Sequence, residues 1–439
     1  MARQDNHVDS AITTDTNSEQ TQERTGKAKS PTTKPGASWR RTFSSLRHRD
    51  FLLFWLGMLG IMAGMQMQML ARSYLVYDIT GSASLLGLVA AGNALPMLGF
   101  SLFGGAFADR FDRRRIIQVG QASFALLALA VAIFIVTDRV TWVHLLIAAV
   151  VQGVAFSFMM PARQSIIPQL VPPEQITNAM ALSSAAMSAM TLLAPFNAGI
   201  IYGYAGPATV YFVIAGMGFA AIAFTSLISA AGTNRKGRNR GSVVKDIGAG
   251  LSYIRSNNIV LVLLILGLST TVLAQPFRML MPLFIVDVYE LGVESMGLMV
   301  SAMGLASLVG ALFVASISNW RRGMLLLIGS FMSGIALVLI ASVPIYYAAV
   351  FFMIPLGLGD AGRRTLNQSL VMEEADDEYR GRVMSVFMLN RGMMPLGVLP
   401  TAIVADYVGA QVAIGALGVL LLGFTIVVTV TQKRLREMP

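Results

Sequence analysis

Residues 104–115 read GGAFADRFDRRR, a glycine-rich start followed by one of the most basic stretches of the chain. They separate two long apolar runs, 83–103 and 116–137. Paired glycines let two helices close on a tight connection. One carboxylate, Asp109, is then followed by Arg110, Arg113, Arg114 and Arg115. A short loop this basic, between two segments of membrane length, marks a cytoplasmic turn. A lone acid there is either an ordinary turn residue or a charge with a structural partner.

Composition agrees with a membrane setting. Of 439 residues, 55% are hydrophobic and only 13% charged, and the mean hydropathy is +0.65. Soluble globular chains carry about 25% charged residues. A chain this apolar takes the bilayer as its solvent. There is no cysteine, which removes disulfides, thiolate metal sites and cysteine nucleophiles. The three histidines, His7, His48 and His144, are far apart, so neither a metal site nor another cofactor is expected. No Gly-Lys-Ser/Thr phosphate loop is present, so ATP does not drive the chain directly.

Around the basic loop the chain holds twelve spans of membrane length. They lie near 51–77, 83–107, 115–137, 141–161, 175–203, 208–231, 259–287, 293–318, 323–342, 345–366, 381–405 and 410–431. Each suffices to cross a hydrocarbon core of about 30 Å. Of the 33 Lys and Arg residues, three (Arg72, Arg278 and Arg391) fall within spans and Arg139 in an outer loop. The rest gather in inner segments. Outer loops hold Asp78, Asp138, Asp287, Glu290, Glu294 and Asp406. This bias predicts that both termini are cytoplasmic, and it accounts for the net charge of +10 without nucleic acid. Tyr74, Tyr77, Trp142, Tyr289, Tyr346 and Tyr347 then belong to the outer interface.

The expected organisation is a disordered cytoplasmic tail over 1–50 and a six-helix bundle over 51–231. A basic cytoplasmic linker at 232–258, part of it a short amphipathic helix on the inner leaflet, leads to a second six-helix bundle over 259–431. A short cytoplasmic tail at 432–439 ends the chain. The halves read as copies. Gly153 and Gly357, Gln164–Ser165 and Gln368–Ser369, and Met180 and Met384 all lie 204 residues apart. Gly105 and Gly310 are 205 apart, and Arg72 and Arg278 are 206 apart. A near-constant offset points to a duplicated six-helix unit.

Two six-span halves with this loop after span 2, and a worn copy after span 8, resemble the major facilitator superfamily. That family's loop signature, G-x-L-A-D-R-x-G-R-[RK], is met by Gly105, Ala108, Asp109, Arg110, Arg113 and Arg114, with Phe107 for Leu and Asp112 for the second Gly. LRHRDFLLFWLG (46–57), YLVYDITGSASLLGLV (74–89), PARQSIIPQLV (161–171), GRVMSVFML (381–389) and PLG (395–397) resemble its enterobactin-exporter-like branch. Span 5 departs from the family's antiporter pattern, since of the Gly-Pro and paired Gly only Pro195 and Gly199 remain. The resemblance implies an all-α polytopic membrane protein, with twelve transmembrane helices in two pseudo-symmetric six-helix bundles. It also implies that Asp109 lies against the start of span 11 as a latch, with Gly105, Arg110, Arg113 and Arg114 shaping the loop.

Charged residues within apolar spans are the remaining candidates. An arginine at the bilayer centre costs about 2.5–3.5 kcal/mol on insertion scales, so it faces a wet cavity or a partner. Gln68 lies one turn before Arg72, and Asn390 adjoins Arg391. With Arg278 they form either a cationic cavity for an anionic or polar amphiphile, or, for Arg72 and Arg278, snorkelling residues paired with Asp78 and Asp287. Asp360 is either a proton-coupling carboxylate or the ion-pair partner of Arg363 and Arg364, at i+3 and i+4. Glu373, Glu374, Asp376, Asp377 and Glu378 form a solvated loop before span 11 or pair between halves. Met65, Met67 and Met69 suit apolar packing better than copper. The expected protein is a non-enzymatic secondary transporter of a bacterial inner membrane, and a monomer. It would export a small amphiphile, a siderophore or drug, in exchange for protons. An importer or lipid flippase of the same fold is the alternative. A membrane enzyme or receptor lacks the convergent groups or the signalling domain it would need.

Overall fold

The fold is that of a computed structural model, which describes residues 43–229, 251–316 and 321–438, apart from the side chains of 101–110, 315 and 391. The expected tail up to residue 42, most of the linker (230–250) and the tip of the second basic loop (317–320) lie outside the described residues, as do any contacts of Gly105, Asp109, Arg110 and Arg391.

The first half comprises α1 (Arg49–Thr80), α2 (Ala83–Arg110), α3 (Arg113–Val136) and α4 (Trp142–Leu170), then a helical run Ile176–Ser226. Gly206, at φ 80° and ψ 168°, turns that run and splits it into α5 (176–205) and α6 (207–226). Only glycine occupies that backbone region freely. The seventh crossing begins as α7 (Asn258–Leu273) and continues in pieces, Gln275–Met279, Met281–Leu283 and a π turn at Phe284–Val288. Pro276 and Pro282 remove donors from its ladder, which explains the breaks. Then come α8 (Val293–Ser316), α9 (Arg322–Ser342), α10 (Tyr346–Glu374), α11 (Arg380–Gly392, resumed as Pro395–Val408), α12 (Ala410–Thr431) and a short α13 (Lys433–Glu437).

Among the described residues, ten helices are long and apolar enough to cross a membrane. One of them, Pro173–Ser226, is 54 residues long and breaks at Gly206, so it serves as two. The α10 helix falls outside the ten because Asp360, Arg363 and Arg364 interrupt it. Counting that run as two and adding α10 gives twelve helices among the described residues, consistent with the twelve crossings of the expected all-α fold. The α3 helix shows why the solvent is lipid. Val119, Leu126 and Ile133, spaced by sevens on one face, are 66%, 57% and 50% exposed.

The two halves repeat each other in detail. Gly153 on α4 sits on the backbone of Asn93 in α2, and a Cβ there would collide with the Asn93 carbonyl. Gly357 on α10 makes the same approach to the Met303 carbonyl in α8. At the end of the bundle where α1 begins, here called the basic end, Arg113 Nη1 donates to the Ser165 carbonyl at 3.1 Å. In the second half Arg322 Nη1 donates to Ser369 Oγ at 3.5 Å. Gly409, at φ 85° and ψ 158°, turns α11 into α12 just as Gly206 turns α5 into α6.

Two boundaries differ from expectation. Residues 43–50 belong with the first bundle and not with the tail, because Ser45 Oγ donates to Asn178 Oδ1 at 2.7 Å and His48 Nε2 lies 3.1 Å from Gln175 Oε1. Glu373 and Glu374 form the last turn of α10 and are not in a loop.

Candidate functional site

At the end opposite the basic one, the halves are sealed. Asp406, at the end of α11, reaches across to the start of α2. Its carboxylate accepts from the backbone N–H of Ala83 at 2.6 Å and of Ser84 at 2.9 Å, and from Ser82 Oγ at 3.2 Å. A carboxylate at a helix N-terminus satisfies orphan N–H groups and complements the helix dipole. Tyr77 at the end of α1 donates its hydroxyl to Asp287 in the π turn. Tyr77 is therefore buried between the halves, not set in an interfacial belt. Gly199 on α5 and Gly297 on α8 bring two backbones into contact, a Cβ on either lying about 3 Å from the other's Cα. Small residues at such crossings permit this closeness.

Toward the basic end the halves part. One buried apolar cluster spans both halves at the sealed end, including Met296, Ala402 and Ala405. A second is confined to the second half at the basic end, around Ile259, Leu263, Val371, Val383 and Leu435. Between α5 and the pair α8 and α10 lies a cavity of about 1080 Å³. Gln66, Ser184, Met187 and Thr191 line it from the first half, and Arg278, Ser307, Arg364, Gln368 and Glu373 from the second. It runs from the depth of Gln66 and Arg278 to Arg380 at the basic end. Both α7 and α11 are broken at mid-depth, near Arg278 and Asn390. Interrupted helices at this depth are tolerated where they line a polar cavity.

The predicted site residues fall into separate groups. Arg72 Nη1 donates to Gln152 Oε1 at 2.8 Å, and Gln152 Nε2 donates to Gln68 Oε1 at 2.6 Å. Arg72 and Gln68 are thus joined through α4, inside the first half, and neither is among the residues lining the cavity. Arg278 does line it. The pairings of Arg72 with Asp78 and of Arg278 with Asp287 do not form, because Gln152 holds the first arginine and Tyr77 holds Asp287. Asp360 is buried, 3% exposed, and binds both arginines on its own helix. Arg363 Nη2 donates at 2.8 Å, and Arg364 Nη2 donates to the other carboxylate oxygen. Gln275 Nε2 adds a third donor at 3.4 Å. Asn390 Nδ2 donates to the Leu264 carbonyl at 3.0 Å, tying α11 to α7.

In the loop after α2, Asp112 caps α3 by accepting from the Arg114 N–H at 2.9 Å. That cap accounts for an aspartate where the family signature has glycine. Arg114 Nη2 donates to the Ser226 carbonyl. The acidic run pairs within the second half, not between halves: Glu373 with Arg322 at 2.6 Å, Glu374 with Arg434 at 3.0 Å and Asp377 with Arg380 at 2.6 Å. These arginines start α9, α11 and α13, beside the end of α10, so they are the nearer partners. Among the described residues, no three His, Asp or Glu side chains converge as a metal-binding group.

Gln152, Gln275, Asn367 and Asp406 are not among the site residues expected from the sequence. Three are neutral amides in apolar helices, and an amide in such a run is itself a sign of a buried polar network. Asp406 stands out in the sequence only as an outer charge.

The sequence pattern described as Major Facilitator Superfamily matches residues 54–399. "Macrolide efflux protein A" of Streptococcus pyogenes is 24% identical over 370 residues, covering 82% of this chain and 90% of that protein. The "Staphyloferrin A transporter" of Staphylococcus aureus is 24% identical over 396 residues, covering 88% and 95%. The "Enterobactin exporter EntS" of Shigella boydii is 22% identical over 396 residues, covering 88% and 90%. Among solved structures, a mutant of the nucleoside transporter NupG superposes with a TM-score of 0.75 at 12% identity, covering 88% of this chain and all of that one.

Proposed function

This chain belongs to the Major Facilitator Superfamily, and on that premise we propose that it exports a small amphiphilic molecule, a siderophore or a drug, by alternating access. The observation that carries the reading is the cavity of about 1080 Å³ between halves that are sealed at one end and parted at the other. Rocking the halves about the midplane would break the Asp406 cap and the Tyr77–Asp287 bond and close the cavity at the basic end. The names of the relatives, efflux and siderophore transport, support export as the direction. The clustering of Lys and Arg supports a cytoplasmic basic end in a bacterial inner membrane, with both termini inside.

Arg278, Asn390 and Arg391 are the residues we assign to substrate, with Arg72 and Gln68 organising the facing wall through Gln152. Asp109, with Gly105, Arg110, Arg113 and Arg114, latches onto the start of α11 when the basic end is shut. Exchange for protons is the proposed drive, and Asp360, held by Arg363 and Arg364, is the carboxylate that a proton would release from its pairs.

Cells with and without the protein are loaded with siderophores and lipophilic drugs, and efflux is followed with the pH gradient intact or collapsed. Export that depends on the protein and stops with the gradient is the expected result. Equal efflux from both cell lines would sink the export reading, and efflux indifferent to the gradient would sink proton exchange. Asp109→Asn is expected to slow transport while leaving substrate binding in place. An unchanged rate would remove the latch.

A further inference from the structure

Beside the main cavity, between α7, α10 and α11, lies a second pocket of about 200 Å³. Its walls carry Gln275, Arg363, Arg364, Asn367, Phe387 and Asn390. Arg364 lines both spaces, so the pocket adjoins the cavity.

Two buried groups on its wall are incomplete. Arg363 is 3% exposed, yet its Nη1 has no hydrogen-bond partner. Asn367, one turn further along α10 and also 3% exposed, has an unpartnered Oδ1. Buried polar groups in folded proteins are almost always satisfied. Arg363 and Asn367, four residues apart and both lining this pocket, thus hold a donor and an acceptor, each shut off from solvent, that a ligand drawing the two side chains toward it would complete.

The charge is also unbalanced. Arg278, Arg363 and Arg364 surround Asp360, three positive charges against one negative. Both oxygens of Asp360 are already taken, by Arg363 with Gln275 and by Arg364. An entering ammonium would meet guanidinium groups, and an entering anion would meet a guanidinium with an unpartnered N–H. A cavity of about 150 Å³ holds benzene, so about 200 Å³ accommodates one ring with an acid group.

We propose that this side pocket is a headgroup subsite for an aromatic hydroxy acid. The carboxylate accepts from Arg363 Nη1, the neighbouring hydroxyl donates to Asn367 Oδ1, and the rest of the amphiphile extends past Arg364 into the main cavity. The subsite rests on the export reading only for what happens to the molecule after it binds.

The test uses the full-length protein in lipid nanodiscs and three probes: 4-hexyl-2-hydroxybenzoate, its neutral amide, and 4-hexylbenzylamine. Calorimetry is expected to show the acid binding roughly tenfold tighter than the amide, as loss of a charged hydrogen-bonding partner implies, and the amine not at all. In Arg363→Gln, where Asp360 keeps Arg364, the acid should fall to the level of the amide. Asn367→Leu, with the same number of side-chain heavy atoms, leaves every ion pair intact but removes the hydroxyl's acceptor, and should weaken binding of the acid severalfold. It decides the matter alone if Arg363→Gln does not fold. Equal affinity for acid and amide in the parent protein, or binding of the acid undiminished in Asn367→Leu, would overturn the subsite. Efflux of the same probes separates the two proposals. Acid-selective binding without any efflux leaves the subsite standing and removes export. Efflux of the amide from a protein with no acid preference does the reverse.

Discussion

Gly206 and Gly409 hold the chain at φ 80°, ψ 168° and φ 85°, ψ 158°, nearly the same corner in each half. Neither has a heavy atom near the place of a missing Cβ, so the demand is one of backbone conformation and not of space. Alanine at either site should cost about 1–3 kcal/mol. Thermal melts of the purified variants are expected to show losses of similar size for Gly206→Ala and Gly409→Ala. A harmless substitution at either would refute the backbone argument for that corner. At Gly153 and Gly357 the demand is for space, because the Asn93 and Met303 carbonyls occupy the place of a Cβ. This second pair is legible at an offset of 204. The first pair, 203 apart, is not, because a lone glycine in an apolar run says nothing of its dihedral angles.

Among the elements, α2 and α11 form the most telling pair. The end of α11 carries Asp406 against the first N–H groups of α2, and the end of α2 carries Asp109, which the family resemblance sets against the start of α11. Each helix would then cap the other at opposite ends of the bundle, in opposite states. Asp406→Asn keeps the shape of the cap but loses the charge. That charge is worth about 0.3–1 kcal/mol at an exposed terminus and up to about 2 kcal/mol when partly buried. The sealed state should lose population accordingly, by up to about thirtyfold. Spin labels on α2 and α11 at the sealed end would report the shift as a longer distance component. An unchanged distribution would show that Asp406 does not hold this end shut. The breaks of α7 are partly legible from Pro276 and Pro282. The partners of Arg72 and of Asp287 are not, since Gln152 and Tyr77 lie far from them in sequence and only the packed fold brings them together.

For the whole molecule, the absence of cysteine turns orientation into a simple measurement. Tyr347 is 80% exposed at the sealed end, and Glu378 is exposed at the basic end. An impermeant maleimide should label Tyr347→Cys in intact cells, and Glu378→Cys only after permeabilisation. The opposite pattern would invert the proposed orientation. The number and order of the spans are readable because lipid leaves a long apolar signature on each of them. Which ends of the halves touch is not readable, because that depends on the state of the molecule and not on composition. The connections at the sealed end have a mechanical consequence of their own. They are two residues between α1 and α2, five between α3 and α4, a single glycine at the α5–α6 and α11–α12 corners, four before α8 and three before α10. With so little slack, neighbouring helices are geared together there like links in a chain. A push at one helix tip would be passed to the next instead of being absorbed by a loop, so in the proposed rocking each half would turn as one lever.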